Sequence, residues 1–204
     1  MRRFLVIFSI LTILTTVISV LFLPVNGENG IYEQTIRLHV VANSDTQADQ
    51  TLKLEIRDEI LTDVAEYLAD CNTKYEAEQI LAKQQQQIKE TAARVIAENG
   101  YAYDVNVVMG EEYYPTREYD GVSLPAGTYY SVRVNVGEAA GQNWWCVLFP
   151  PLCVGSATAK EELVAAGFTP NQIHVLTESD SPRYALKFKV LEFLGEVRAF
   201  LKKS

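Results

Sequence analysis

The sequence predicts an α+β fold: a first strand, two long N-terminal helices after it, a mainly antiparallel sheet in the middle of the chain, and a C-terminal amphipathic helix. Two period changes and a targeting-type start support this. Apolar residues recur at helical spacing from Leu52 to Ile96, they alternate from Tyr103 onward, and residues 1–27 carry no charge beyond Arg2 and Arg3.

At 204 residues the chain has the size of one medium domain. Its 48% apolar content argues against disorder. With 18 Lys+Arg against 26 Asp+Glu, and a net charge of -8, it does not suit a nucleic-acid binder, which needs a basic surface to neutralise phosphates.

Arg2 and Arg3 precede an apolar or hydroxyl-bearing run from Phe4 to Leu23, followed by Pro24-Val25-Asn26-Gly27. A positive flank stays on the cytoplasmic side while such a run enters the bilayer, so residues 1–27 read as a signal peptide or signal anchor and 28–204 as a single exported domain. Val25 and Gly27 offer small side chains for cleavage, but the run also approaches the ~20 residues that span a hydrocarbon core. Both outcomes stay open.

The strand comes first. Ile36, Leu38 and Val40 alternate with Arg37 and His39, which predicts a strand with one buried face. Asn43-Ser44-Asp45 stops it, and Ser44 and Gln47 have capping-box spacing. Leu52, Ile56, Ile60, Val64 and Leu68 then mark a helix over about Gln47–Ala69. Thr73 and Glu76 open a second helix, whose stripe runs through Ile80, Leu81, Ile88, Ala92, Val95 and Ile96 to a stop at Asn99-Gly100.

Beyond Gly100 the period is two. Tyr103, Val105 and Val107 alternate, as do Tyr130, Val132, Val134 and Val136, with turn signals at Asp120-Gly121 and Pro125-Ala126-Gly127 between them. Trp144–Phe149 is a further strand that ends at Pro150. A short helix near Ala159–Ala166 follows, then a Gly167-Phe168-Thr169-Pro170 break and a brief extended segment, Ile173–Leu176. Ser181-Pro182 opens the last helix, 181–203. Residues 181–204 sum to +4, against -14 for 28–180. A basic amphipathic helix can lie on an anionic membrane or dock on a partner, or its apolar face can complete the core.

Export lets thiols oxidise and stay oxidised. Cys146 and Cys153 lie close in sequence with Pro150-Pro151 forcing a turn between them, so a disulfide is favoured there over two buried thiols. Cys71 is left over.

Catalytic and metal constellations are missing. There is no Walker A, no G-x-G-x-x-G, no H-E-x-x-H and no G-x-S-x-G, and His39 and His174 are the only histidines. Two histidines cannot fill a closed zinc site unaided, so neither metal nor cofactor is expected. Glu111 and Glu112 are adjacent and diverge, unlike a facing acid/base pair. The chain is therefore read as a non-enzyme. The unusual stretch is Asn143–Cys153, which holds both tryptophans, Phe149 and two cysteines. Strand alternation points one tryptophan inward and its neighbour outward, making one of them a candidate contact residue.

At this stretch the sequence resembles a known family. Gly141–Cys153 closely resembles the signature of the stage II sporulation protein R family. Ile36–Asp45, with Asp49-Gln50 and Leu52-Lys53, resembles its N-terminal motif, and Tyr114-Pro115-Thr116 and Leu124–Tyr129 fit the region between. The likeness covers about Ile36–Cys153. It implies a signal made in the forespore of an endospore-forming bacterium, secreted across the forespore membrane into the intermembrane space. There it would activate a membrane-embedded aspartic protease of the mother cell, which cleaves the sigma-E precursor. The expected partner-binding residues, facing the protease's extracytoplasmic part, are Asn143, Trp144, Trp145 and Phe149 together with Asn43, Ser44, Asp45 and His39. Membrane contact through the N-terminal segment or the C-terminal helix accompanies that reading. Two alternatives stand beside it: an exported cell-wall hydrolase using His39, Asp45 and a serine or carboxylate from the sheet, and a membrane-tethered structural protein.

Overall fold

The computed structural model describes residues 2–22, 28–119, 121–153 and 159–177. Two helices precede the first strand: α1 (Arg2–Phe22) and the short α2 (Glu28–Glu33). Phe4 to Leu14 are exposed on every side of α1, as an uninterrupted apolar helix must be when nothing covers it. Side chains of α1 are described over Phe4–Thr15 only, and among the described residues no helix is long and apolar enough to cross a membrane.

The remaining order is β1 (Ile36–Val41), α3 (Gln47–Leu68), α4 (Lys74–Glu98), β2 (Val105–Tyr114), β3 (Arg117–Tyr119), β4 (Val122–Leu124), β5 (Gly127–Val136), β6 (Asn143–Phe149), α5 (Ala159–Ala165) and α6 (Pro170–Thr177). The class is α+β, but the expected layout needs correction, because α1 and α2 form the N-terminal pair and the long helices come third and fourth. Helix α3 is capped by Thr46, whose side chain accepts from the Asp49 N–H, and not by Ser44. Helix α4 has the complete Thr73/Glu76 capping box. The expected helix 181–203 lies outside the described residues.

Four strands form a mixed, mainly antiparallel sheet in the order β2-β5-β1-β6; β3 and β4 form a separate hairpin. β1 runs parallel to β5 and antiparallel to β6, while β2 and β5 are antiparallel. The even-numbered residues of β1 and β5, with Val105 and Val107, face α3 and α4. There Ile36, Leu38, Val40, Ile56, Ile60, Leu81, Ile88, Val132 and Val134 bury themselves in one core cluster.

The opposite face was expected to meet solvent. All six residues of β1 are buried instead, because α2, the β3–β4 hairpin, α5 and α6 cover that side with a second cluster of Ile31, Val122, Leu124, Val147, Leu163, Phe168 and Leu176. The segment Ile173–Leu176, expected to be extended, is helical. Thr169 N–H and Oγ reach Gln172 Oε1 at 2.7 and 2.9 Å, and Gln172 N–H donates back to Thr169 Oγ, so Thr169-Pro170 is a helix start and not merely a break.

Candidate functional site

On the second face of the sheet, hydrogen bonds replace apolar contacts around Glu112. His39 Nδ1 lies 2.9 Å from Glu112 Oε1, and since a carboxylate only accepts, Nδ1 donates. Arg133 Nη1 donates to the same oxygen at 2.8 Å, and Ser131 Oγ donates to Oε2 at 2.9 Å. The other ring nitrogen of His39, Nε2, sits 2.8 Å from Asn143 Oδ1. Five side chains from the four strands β1, β2, β5 and β6 are thus tied together across the whole sheet. Burial pushes the Glu112 carboxyl up, but the hydrogen bonds and charges of His39, Ser131 and Arg133 outweigh it and hold the group below the usual range. A shallow cavity of about 230 Å³ lies beside it, lined by Val108, Gly110, Glu111, Glu112, Ser131 and Arg133.

This network does not have the order of a hydrolytic triad, in which histidine sits between nucleophile and acid. Here the carboxylate sits between Ser131 and His39, and both nitrogens of His39 are engaged. Asp45, the acid named in the hydrolase alternative, instead accepts the Gln142 N–H at 2.7 Å. Among the described residues no cluster of three or more His, Cys, Asp or Glu side chains could hold a metal ion.

The Asn43–Asp45 loop joins β1 to α3 and clamps the 137–142 turn that leads into β6. Asn43 Nδ2 donates to Asp49 Oδ2 at 2.9 Å, Asn43 Oδ1 accepts from the Glu138 N–H at 3.0 Å, and the Asn43 carbonyl accepts from the Ala140 N–H at 3.1 Å. Ser44 Oγ donates to the same Asp49 oxygen. Burial raises the Asp49 carboxyl, yet hydrogen bonds from Ser44, Asn43, Tyr103 and Thr46 bring it below its ordinary value. Lys53, buried under this turn, donates to Gln142 O at 3.1 Å. The structure therefore spends the polar atoms of Asn43, Ser44 and Asp45 largely on holding two loops, while Asn143, at the end of the clamped turn, spends its Oδ1 on His39.

Gly141 is where those loops meet, and a Cβ there would collide with the Ser44 carbonyl. Because backbone cannot swing away as a side chain can, Gly141→Ala is expected to push the Asn43–Asp45 loop off the turn and to destabilise the fold by about 1–3 kcal/mol. A urea midpoint unchanged from wild type would refute this.

The tryptophans lie on opposite faces of β6, and neither is buried in the core. Trp144 is 38% exposed and carries the Arg57 guanidinium 4.3 Å from its ring centroid; Trp145 is half-buried, stacked on His39 at 5.6 Å, with Arg117 at 4.2 Å on it. Alternation thus puts the two rings on opposite faces as expected, but both faces of the sheet are covered, so the difference in burial is modest: Trp144 is exposed and Trp145 half-buried. Phe149, at the other end of the strand, is buried in the α3/α4 core and His39 is buried under Trp145. Cys146 and Cys153 are disulfide-bonded, and Val147 N–H donates to Cys153 Sγ at 3.3 Å. Cys71 is free, with its thiol pushed up by burial and by Glu76 and Asp70.

Sequence reasoning missed Glu112, Ser131 and Arg133 as parts of one network with His39 and Asn143, and Arg57 and Arg117 as the tryptophans' cations. These come from distant strands and helices, and only an even or odd position on the alternating strands hinted at a shared face.

The comparisons agree with the motif reading. Residues 32–159 match the family described as Stage II sporulation protein R. The chain is 36% identical over 123 residues to the stage II sporulation protein R of Bacillus subtilis (strain 168), an alignment covering 60% of this chain and 55% of the relative. The match thus spans little more than half the relative's length. No solved structure matches the chain. The family match covers well over half of the sequence, from α2 through the disulfide loop to the first residue of α5, and on that ground the chain belongs to the stage II sporulation protein R family.

Proposed function

We propose that this chain is an exported sporulation signal. It crosses the forespore membrane led by its N-terminal segment and works in the space between the two sporulation membranes. There it activates a membrane-embedded aspartic protease, whose cleavage of the sigma-E precursor follows in the mother cell. The observation that carries this is the family match over residues 32–159, which includes the strand with both tryptophans. The apolar, fully exposed start of α1 after Arg2 and Arg3 supports export or anchoring.

The surface that meets the protease's extracytoplasmic part is Asn143, Trp144 and Trp145, with the Asn43–Asp45 loop behind it. His39 positions this surface from beneath, while Phe149 anchors the far end of the same strand in the core. A ligand activates such a protease only by binding its active arrangement better than its inactive one, so rigidity of the surface matters as much as its chemistry. The loop clamp and the Cys146–Cys153 disulfide supply that rigidity.

The test is precursor processing in sporulating cells carrying Trp144→Ala or Trp145→Ala. Since interface tryptophans commonly cost 2 kcal/mol or more when truncated, a fall of roughly tenfold or more is expected while export and circular dichroism stay normal. Undiminished processing by both exported variants would sink the proposal.

A further inference from the structure

β6 is an edge of the sheet, with no strand paired on its outer side among the described residues. An open edge presents a row of N–H and C=O groups that templates pairing with another chain. Half of this edge is closed off. The Val147 N–H is taken by Cys153 Sγ, so the disulfide turn covers the Phe149 end. Successive residues of a strand turn their backbone groups to alternate sides, which places those of Trp145 and Asn143 on the same outer side as Val147. That half, at the Asn143 end, is exposed and bears a tryptophan on each face.

Each tryptophan carries a guanidinium. Arg57 lies over Trp144, and Arg117 lies over Trp145 without an ion-pair partner among the described residues. Arg57 is neutralised by its pairing with Asp58, so Arg117 is the cation left at this strand end among the described residues, on a body that sums to -14 over residues 28–180. An added strand alternates its side chains between the two faces. On the α3 side they would meet the exposed Trp144 ring, and on the opposite side the Arg117 guanidinium.

We infer that the Asn143–Trp145 half of the β6 edge accepts an extended, acidic segment of the partner protein as a fifth strand. An apolar residue of that segment packs on Trp144 and a carboxylate pairs with Arg117. This rests on the signalling reading above and specifies how the partner is held: main-chain hydrogen bonds supply affinity, and the two tryptophan faces supply specificity.

Hydrogen exchange of the full chain in detergent micelles, with and without the protease's extracytoplasmic part, tests it. The expected result is slowed exchange over Asn143–Trp145 on binding, with exchange along the opposite edge strand β2 unchanged. Arg117→Glu, on an exposed position, is expected to weaken binding about tenfold while leaving the unfolding midpoint unchanged. Binding with no change at 143–145, or with full affinity in Arg117→Glu, overturns the edge mode and leaves the signalling reading standing. Absence of binding overturns both. Concentration-dependent slowing at 143–145 without the protease, accompanied by dimers in sedimentation, assigns the edge to a second copy of this chain and overturns the inference.

Discussion

Arg37→Ala is expected to cost about 3–5 kcal/mol of folding stability, and Arg37→Met much less. Arg37 is fully buried, with its guanidinium 4.4 Å from the Tyr114 ring centroid, 4.9 Å from Tyr129 and 5.3 Å from Tyr119. Nε donates to Cys146 O at 3.2 Å and Nη2 to the Tyr119 hydroxyl at 2.6 Å, while Nη1 has no hydrogen-bond partner among the described residues. Alanine removes the stem that fills the space under the β3–β4 hairpin and leaves a cavity among three tyrosines. Methionine keeps most of that volume and discards a buried charge whose desolvation is only partly offset. Urea unfolding of the two variants reads the difference directly. Equal losses would show that the charge, and not the packing, holds the hairpin down.

The second large effect is at Glu112. Glu112→Ala leaves His39, Ser131 and Arg133 without their shared acceptor, at a cost of about 2–3 kcal/mol, between the values for surface pairs and fully buried ones because the side chain is 21% exposed. Its carboxyl titrates below the ordinary range in the folded protein. A depressed folded value means that this contribution is fully present above the unfolded carboxylate value of about 4.3 and is lost as pH falls through the lower, folded one. Wild-type stability should therefore drop in acid, below about pH 4, by more than that of Glu112→Gln, which has no charge to lose there. Parallel acid-denaturation curves for the two proteins would contradict this assignment.

What the sequence revealed and what it hid follow from the range of each interaction. The alternation of Ile36, Leu38 and Val40 identified β1 and its core face, since that pattern is local. It was silent on whether Arg37 and His39 met water or other side chains, because their partners Tyr114, Tyr119, Tyr129, Glu112 and Asn143 are brought in by other strands, from 73 residues away for Glu112 to 104 for Asn143. Helix α6 was missed because Gly167-Phe168-Thr169-Pro170 signals a break as strongly as a start, and Gln172, which completes the cap, lies two residues beyond. At the candidate site the aromatic cluster was plain, but the cations stacked on it were not, as Arg57 comes from α3 and Arg117 from β3. Phe149 shows the limit of composition: the same cluster of aromatics contains a core residue and surface residues, and only the extent of β6 covered by helices separates them.

The parallel pairing of β1 with β5 has a further consequence. Ile36 finds its neighbours at Tyr130 on one side and Phe149 on the other, so the centre of the sheet is the earliest strand made and the last to be enclosed. A chain that passes N-terminus first through a narrow channel cannot close this sheet until Phe149 has emerged. The long loops that must shut before those contacts form delay collapse in any case. The topology itself therefore leaves β1 without one of its two neighbours until the last strand of the sheet is available, so Asn143–Trp145 takes its place beside Val41–His39 only in the closing step.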